Sequence, residues 1–294
     1  MFVTVLSDKP ELRENFCKSI GKEFSRDELA IYSLESSDKK IYLVDPLQYP
    51  EKIQPLLHSL SISDYVVLIV DSLTPKVGEL LVALNSIKAE KGIIVSTLNL
   101  PVNGTILSKY DKVSDVSTVK EKLLSLSASS SGENLFGLIY KTQSVPSKGN
   151  VAFGILRSGK VTKSDKLSLL PSKSDFDVRS ISTFGSDSDE LGAISHFEIA
   201  YKGDLISHGI LSSIRNEFQL ENIVNGKFTK SAFFKDELKG KIYAYLNMQY
   251  VEGHVTDNDL TLSSPLAFEK GDSILIVDAS NQKLRIAGVF QSKW

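Results

Sequence analysis

The ten residues 125–134, "SLSASSSGEN", divide the chain into two textures. They are small and polar, the composition of a flexible linker. Upstream, strand-like and helix-like runs alternate. "FVTVL", "KIYLVD", "DYVVLIVDS" and "KGIIVSTLN" read as strands. "ELRENFCKSIGKEF", "PEKIQPLLHSL", "KVGELLVALNSIKAE" and "STVKEKLLSLS" read as helices, the last with Ser117 as its N-cap. This alternation predicts a mostly parallel sheet covered on both faces. Downstream, helical periodicity is rare, and short β-rich runs recur between Gly, Asp, Asn and Ser turns. "LFGLIYKT", "NVAFGILRSG", "DKLSLLP", "FDVRSIST" and "HFEIAYKG" suit one small barrel. "GKFTKSAFF", "KIYAYLNMQYVEGHV", "LTLSSPLAFEKGDSILIVD" and "KLRIAGVFQ" suit a second. The expected domains are an α/β unit over residues 1–127, a β-barrel over 134–203 and another over 204–294.

Composition narrows the function classes. With 41% hydrophobic and 24% charged residues, the 294-residue chain has the balance of a soluble globular protein. A net charge of −2 supplies no global basic field, so any RNA contact must rest on local patches. The single cysteine, Cys17, excludes an internal disulfide framework and fits a reducing cytoplasm. It reads as part of the apolar side of the first helix. Lys9 and Glu11 interrupt the early apolar run, so no secretory signal is read, and no stretch reaches the roughly 18 apolar residues of a membrane span. The expectation is a cytoplasmic protein with no membrane partner.

The downstream motifs carry a resemblance. "GNVAFGILRSGKVTKSDKLSLLP" is similar to the "GTVVTGTVLxGxVxxGDxVxxLP" pattern of the elongation factor Tu superfamily of translational GTPases, through Gly149, Val151, Gly154, Gly159, Val161 and Asp165. "VRSIS" (178–182), "AYKGDLISHGIL" (200–211) and the closing "PLAFEKGDSILIVDASNQKLRIAGV" resemble further family segments, most nearly those of the archaeal selenocysteine-specific elongation factor. The resemblance implies a GTPase-like α/β domain followed by two β-barrels. It also implies that the fourth domain of that factor is absent here. Tyr140 and Lys141 stand about where the selenocysteine-specific factors carry an Asp-His pair, so aminoacyl discrimination does not carry over.

In the first domain the nucleotide motifs of that family are degraded. A phosphate loop, G-x-x-x-x-G-K-[ST], wraps phosphates in backbone N–H groups, neutralises them with Lys and ligates magnesium through a hydroxyl. Ser7 and Leu12 take the glycine positions, Arg13 the Lys position and Glu14 the hydroxyl position. A carboxylate about 4 Å from a phosphate charge costs roughly 4 kcal/mol at an effective dielectric of 20, about a thousandfold in affinity. Arg13 itself reads as part of a solvated helix face. The D-x-P-G-H motif is reduced to Asp45 followed by "PLQY", where Asp45 reads as capping the next turn. The guanine-reading N-K-x-D motif is reduced to Asn99 before "LPV". The segment before "KIYLVD" is too short for the family's long switch loop. These losses imply a pseudo-GTPase that is not an enzyme and needs no cofactor.

Elsewhere the four histidines, His58, His196, His208 and His254, are far apart and lack metal-ligand spacing. No metal and no catalytic residue is expected. Two basic stretches are candidates for an RNA backbone: Arg157, Lys160, Lys163 and Lys166, then Lys227, Lys230, Lys235, Lys239 and Lys241 interleaved with Phe228, Phe233 and Phe234. The net charges over 1–133, 134–203 and 204–294 are −3, +2 and −1. The resemblance implies binding to tRNA, the ribosome or another translation factor. Two alternatives stand beside it: a divergent GTPase holding nucleotide weakly through Asn99, Asp45 and Arg13, and a protein-interaction scaffold that binds no RNA.

Overall fold

Buried aliphatic runs set the sheet of the first domain. The computed structural model describes residues 1–36, 39–100, 102–126, 132–146, 148–202, 205, 208–213, 218–238 and 241–293. Its first seven strands are β1 (Phe2–Leu6), β2 (Lys22–Arg26), β3 (Leu29–Glu35), β4 (Lys40–Pro46), β5 (Tyr65–Ile69), β6 (Gly92–Val95) and β7 (Asp111–Val113). They form one sheet in the order β2-β3-β4-β1-β5-β6-β7. β4 through β7 pair in parallel around β1, and β2–β3–β4 is an antiparallel extension. All five side chains of β1 are buried, as a central parallel strand requires. The helices are α1 (Pro10–Ile20), α2 (Gln54–Ser61), α3 (Pro75–Ser86) and α4 (Val116–Ser125). Phe16, Cys17, Val119 and Leu123 of α1 and α4 join one core cluster. Leu56, Leu57, Leu80 and Leu84 of α2 and α3 join another.

Three details differ from the sequence reading. The first helix stops at Ile20, where Gly21 donates its N–H to the Cys17 carbonyl at 2.8 Å. "KEFSR" then forms the edge strand β2 rather than more helix. Its partner β3 is an apolar strand outside the runs read as strands, and this hairpin stands where the long switch loop is missing. At α4 the cap is Asp115, whose carboxylate accepts from the Thr118 N–H at 2.9 Å, while Ser117 only donates to it.

Beyond the segment 125–134, of which 127–131 lie outside the described residues, every described element is a strand or turn. Six strands close the middle barrel, in the order Lys166–Leu170, Gly209–Ser213, Phe136–Val145, Gly149–Ser158, Ser195–Tyr201 and Ser174–Thr183, the last pairing back to the first. Gly209–Ser213 bonds both Lys166–Leu170 and Phe136–Val145, so this barrel does not end near residue 203. The sequence reading sets the boundary between residues 203 and 204, but closure takes Gly209–Ser213 as a sixth strand, and the boundary moves past Ser213. The last barrel closes through Gln219–Lys230, Asp259–Phe268, Gln249–Val255, Ile242–Leu246, Ser273–Val277 and Ile286–Ser292. Two motif glycines have steric reasons. Gly159 has φ +71°, and a Cβ there would sit 2.7 Å from Leu135 backbone atoms. A Cβ at Gly154 would sit 2.3 Å from the Leu138 carbonyl oxygen and the Phe197 ring.

The three domains are tied by specific contacts. Phe184 of the middle barrel stacks on Tyr42 of β4 at 4.2 Å and meets Phe24 of β2 edge-on at 4.7 Å. Arg157 pairs with Asp64 at 2.8 Å. From the last barrel, Arg285 is buried against Glu79 of α3, its Nε and backbone N–H both 3.0 Å from Oε1. Tyr245 and Ser61 share a hydroxyl hydrogen bond of 2.8 Å.

Candidate functional site

The position that corresponds to a phosphate loop lies between β1 and α1. Leu6 ends the strand and Pro10 begins the helix, leaving residues 7–9 as the connection. That is too short to arch around a phosphate, and Pro10 removes one N–H from the helix N-terminus where anions bind. Leu12, Arg13 and Glu14 therefore lie inside α1. Arg13 is 0% exposed, which overturns its reading as a solvated face. Its Nε donates to Asp45 Oδ1 at 2.6 Å, and its terminal nitrogens donate to the carbonyls of Ser7 (2.6 Å), Pro46 (3.0 Å) and Tyr49 (2.8 Å). A carboxylate and three carbonyls thus converge on one guanidinium. Such a ring of acceptors suits a cation and repels phosphate, the reverse of a ring of N–H donors.

The other candidate residues arrange around this contact. Asp45 is 1% exposed; burial pushes its carboxyl up, and the Arg13 guanidinium pulls it back. Its partner is Arg13 rather than the following turn. Ser7 is buried, and its Oγ accepts from the Lys9 N–H at 3.3 Å. Leu12 is half-buried. Glu14 turns outward to Lys18 (2.8 Å) and Arg26 (2.7 Å), whose hydrogen bonds hold its carboxyl below the usual range. Glu14 is thus held by two surface cations rather than aimed at the turn after β1. Asn99 is exposed in the segment after β6. Cys17 is buried beside Arg13 and Asp45, and burial pushes its thiol well up, as for an inert core thiol.

No family model matches the chain. Translation elongation factor SelB of Methanococcus maripaludis, in complex with the GTP analogue GppNHp, superposes with a TM-score of 0.83 at 18% identity, over 100% of this chain and 79% of that one. The chain has the fold of a selenocysteine-specific elongation factor. The apo form of the same SelB gives a TM-score of 0.77 at 18% identity, again over 100% and 79% of the two chains. A bacterial selenocysteine-specific factor, EF-Sec, gives 0.79 at 16% identity over 98% of this chain, which spans 58% of that factor's length. In sequence, an uncharacterized protein of Methanocaldococcus jannaschii is 26% identical over 295 residues, 94% of this chain and 95% of that protein. The elongation factor Tu-like architecture expected from the barrel motifs is thus present from end to end.

Most of the basic candidates are already partnered. Arg157 is tied to Asp64 and the Ile62 carbonyl across the domain boundary. Lys160 pairs with Glu190 (3.1 Å), Lys163 with Asp189, Lys166 with Asp177 (4.0 Å) and Lys241 with Glu252 (3.0 Å). Lys239 lies outside the described residues. Among the described residues, Lys227, Lys230 and Lys235 pair with no carboxylate; Lys230 lies 5.6 Å from the Phe234 ring centre, and Lys235 donates to the Ala232 carbonyl. The middle stretch is a chain of surface ion pairs, and the unpaired lysines belong to the last barrel.

The histidines are not all unconnected. His196 is a core residue, bonded through Nε2 to the Tyr140 hydroxyl at 2.8 Å and held down to about 3 by burial. Lys141, the other residue set against the Asp-His pair, bonds Asp27 at 3.2 Å. His58 and His208, however, face each other with ring centres 4.5 Å apart, and both approach Glu28. Burial pushes the Glu28 carboxyl up, but the His208 and His58 rings outweigh it and bring it to about 2. His58 is itself pushed down by burial. No sequence spacing announces this cluster, because its members come from a β-turn, a helix and a distant barrel.

Proposed function

We propose that this protein is a translation-factor-like binding protein that takes up neither GTP nor GDP. The observation that supports the reading is Arg13, buried and bonded to four acceptors beside the strand-to-helix turn that takes the place of a phosphate loop. Phosphate entry would require the guanidinium to leave a buried carboxylate. Breaking a buried pair in this way costs about 3–5 kcal/mol, two to four orders of magnitude in affinity. Calorimetric titration with GTP and GDP, with and without magnesium, tests it. The expected result is no saturable heat at physiological nucleotide concentrations. A micromolar dissociation constant for either nucleotide would put the divergent-GTPase reading in its place.

In this reading the activity is binding, in the cytoplasm, to tRNA, the ribosome or another translation factor, and the barrels hold the partner. Three features support it: the likeness to selenocysteine-specific factors in fold, the negative charge of the first domain, and Lys227, Lys230 and Lys235 of the last barrel, which pair with no carboxylate among the described residues, in the same stretch as Phe233, 62% exposed. No helix among the described residues is long and apolar enough to cross a membrane. Anisotropy titrations of labelled tRNA at several salt concentrations check the RNA limb. Replacing Lys227 and Lys235 by Glu should weaken binding and lower the salt slope by up to about 0.7 to 0.9 for each phosphate no longer neutralised. No binding by the full chain at low salt would leave the interaction scaffold as the better account.

A further inference from the structure

The junction of the three domains holds a donor set that the fold likeness does not explain. Glu28 lies in the turn between β2 and β3, His58 in α2, and His208 immediately before the middle-barrel strand Gly209–Ser213. Nδ1 of His58 is 3.0 Å from Oε1 of Glu28, and Nε2 of His208 is 3.2 Å from Oε2. One ligand atom from each residue lies within 4.8 Å of the other two. His58 is 0% exposed, yet neither ring nitrogen is aligned with a hydrogen-bond partner among the described residues. A buried imidazole without an aligned hydrogen bond is rare in folded proteins, because burial strips its water without replacement. Nδ1 faces the Glu28 carboxylate out of line for a hydrogen bond, and an ion between the two would give that nitrogen a partner.

We infer that Glu28, His58 and His208 form a binding site for a divalent cation of the zinc class. Two imidazoles and one carboxylate are the protein ligands of three-coordinate zinc sites that keep a fourth position for water. Ligand atoms about 2.0–2.1 Å from a tetrahedral ion are about 3.3 Å apart. The contacts of 3.0 and 3.2 Å run to different oxygens of Glu28, so the carboxylate must turn to bring one oxygen to both rings and the set must tighten from within 4.8 Å. Nitrogen donors disfavour magnesium and calcium, which take oxygen shells. A cavity of about 340 Å³ adjoins the cluster, lined by Glu28 and His208 together with Tyr140, Thr142 and Leu205, with room for the fourth ligand. Two ligands come from the first domain and one from the middle barrel, while the Tyr245 ring of the last barrel lies 5.7 Å from His58. The ion acts as a clamp between the first two domains and shares no ligand with the Arg13 cluster, so it does not depend on the nucleotide reading.

The test uses the full chain stripped with a chelator and titrated with Zn²⁺ against a chromophoric competitor, then with Co²⁺, and with Mg²⁺ as a control. Expected are one Zn²⁺ per chain at micromolar affinity or tighter, visible Co²⁺ absorption, a raised thermal midpoint with Zn²⁺, and no competition from millimolar Mg²⁺. His208→Ala, at a partly exposed position, should leave the metal-free fold intact by circular dichroism and lower Zn²⁺ affinity at least about 100-fold. Glu28→Gln should act in the same direction, and His254→Ala, at an exposed strand position, should not. No stoichiometric binding, or binding unchanged by His208→Ala and Glu28→Gln, overturns the assignment and leaves a plain histidine–carboxylate cluster.

Discussion

Replacing Arg13 by Met keeps most of the side-chain volume and removes the charge, which makes it the sharpest probe of the filled site. The guanidinium is 0% exposed and Asp45 1%, so solvent cannot take over any of the four hydrogen bonds. Asp45 would be left as a buried lone carboxylate, a loss of about 3–5 kcal/mol. The three orphaned carbonyls each carry a penalty of about 1–3 kcal/mol that overlaps with the first, so about 3 kcal/mol is the working lower bound. A typical domain has only about 5–15 kcal/mol in hand. Urea unfolding followed by far-UV circular dichroism reads the change. In the variant, burial raises the Asp45 pKa with no cation to oppose it. The folded state then binds a proton the unfolded chain has released, so the variant regains stability as pH falls toward the ordinary Asp value. Adding Asp45→Leu should recover at least about 2 kcal/mol of the single-variant loss, since an apolar pair replaces an ionic one. A loss under about 1 kcal/mol for Arg13→Met, or strict additivity in the double variant, would refute the account of Arg13 as a buried cation held by its acceptors.

Three further outcomes follow from other contacts. His196, held down to about 3 by burial, stays neutral in the fold while the unfolded chain protonates below about pH 6.5, so stability falls as pH drops, by up to about 1.4 kcal/mol per unit. His196→Gln should flatten that dependence between about pH 6.5 and 5 in urea midpoints; parallel curves for the two proteins count against it. Arg285→Ala removes one partner of the buried pair with Glu79 and should cost about 3–5 kcal/mol, loosening the last barrel and enlarging the radius seen by small-angle scattering. An unchanged radius and midpoint would deny the pair that role. Gly159→Ala, at φ +71° and against Leu135, should destabilise by more than about 1 kcal/mol, whereas Gly192→Ala, with nothing within 4 Å of a new Cβ, should stay within about 0.5; equal effects would remove the steric reason given for the motif glycine.

Elements that bury themselves on local pattern were the legible ones. "DYVVLIVDS" and "KGIIVSTLN" read as buried strands and are β5 and β6, and the Gly-turn rhythm after residue 134 that suits barrels lies in two of them. β2 was hidden because "KEFSR" is charged and owes its strand state to the backbone of β3 rather than to its own side chains. The extra strand Gly209–Ser213 was assigned to the wrong barrel because closure is a property of the whole ladder and leaves no mark on five residues. Arg13 shows the same limit at the site. Its place in α1 was readable, but its direction depends on Asp45 and on carbonyls more than thirty residues away. The loss of the nucleotide motifs could be read position by position. What replaced them could not, nor could a cluster of Glu28, His58 and His208 that exists only once two domains meet.

The segment from Pro46 to Glu51 is stapled at both ends. Arg13, from α1, holds the carbonyls of Pro46 and Tyr49, and Arg285, from the last barrel, holds the carbonyl of Glu51; both guanidinium groups rest near the Tyr49 ring, at 5.9 and 5.7 Å. In a GTPase this is the stretch that meets the terminal phosphate. Here Arg13 ties this stretch to α1 and Arg285 ties it to the last barrel, so two guanidinium groups from different domains hold one six-residue segment. On the function proposed above, a partner that docks on the barrels should arrive and leave at rates that added nucleotide leaves unchanged.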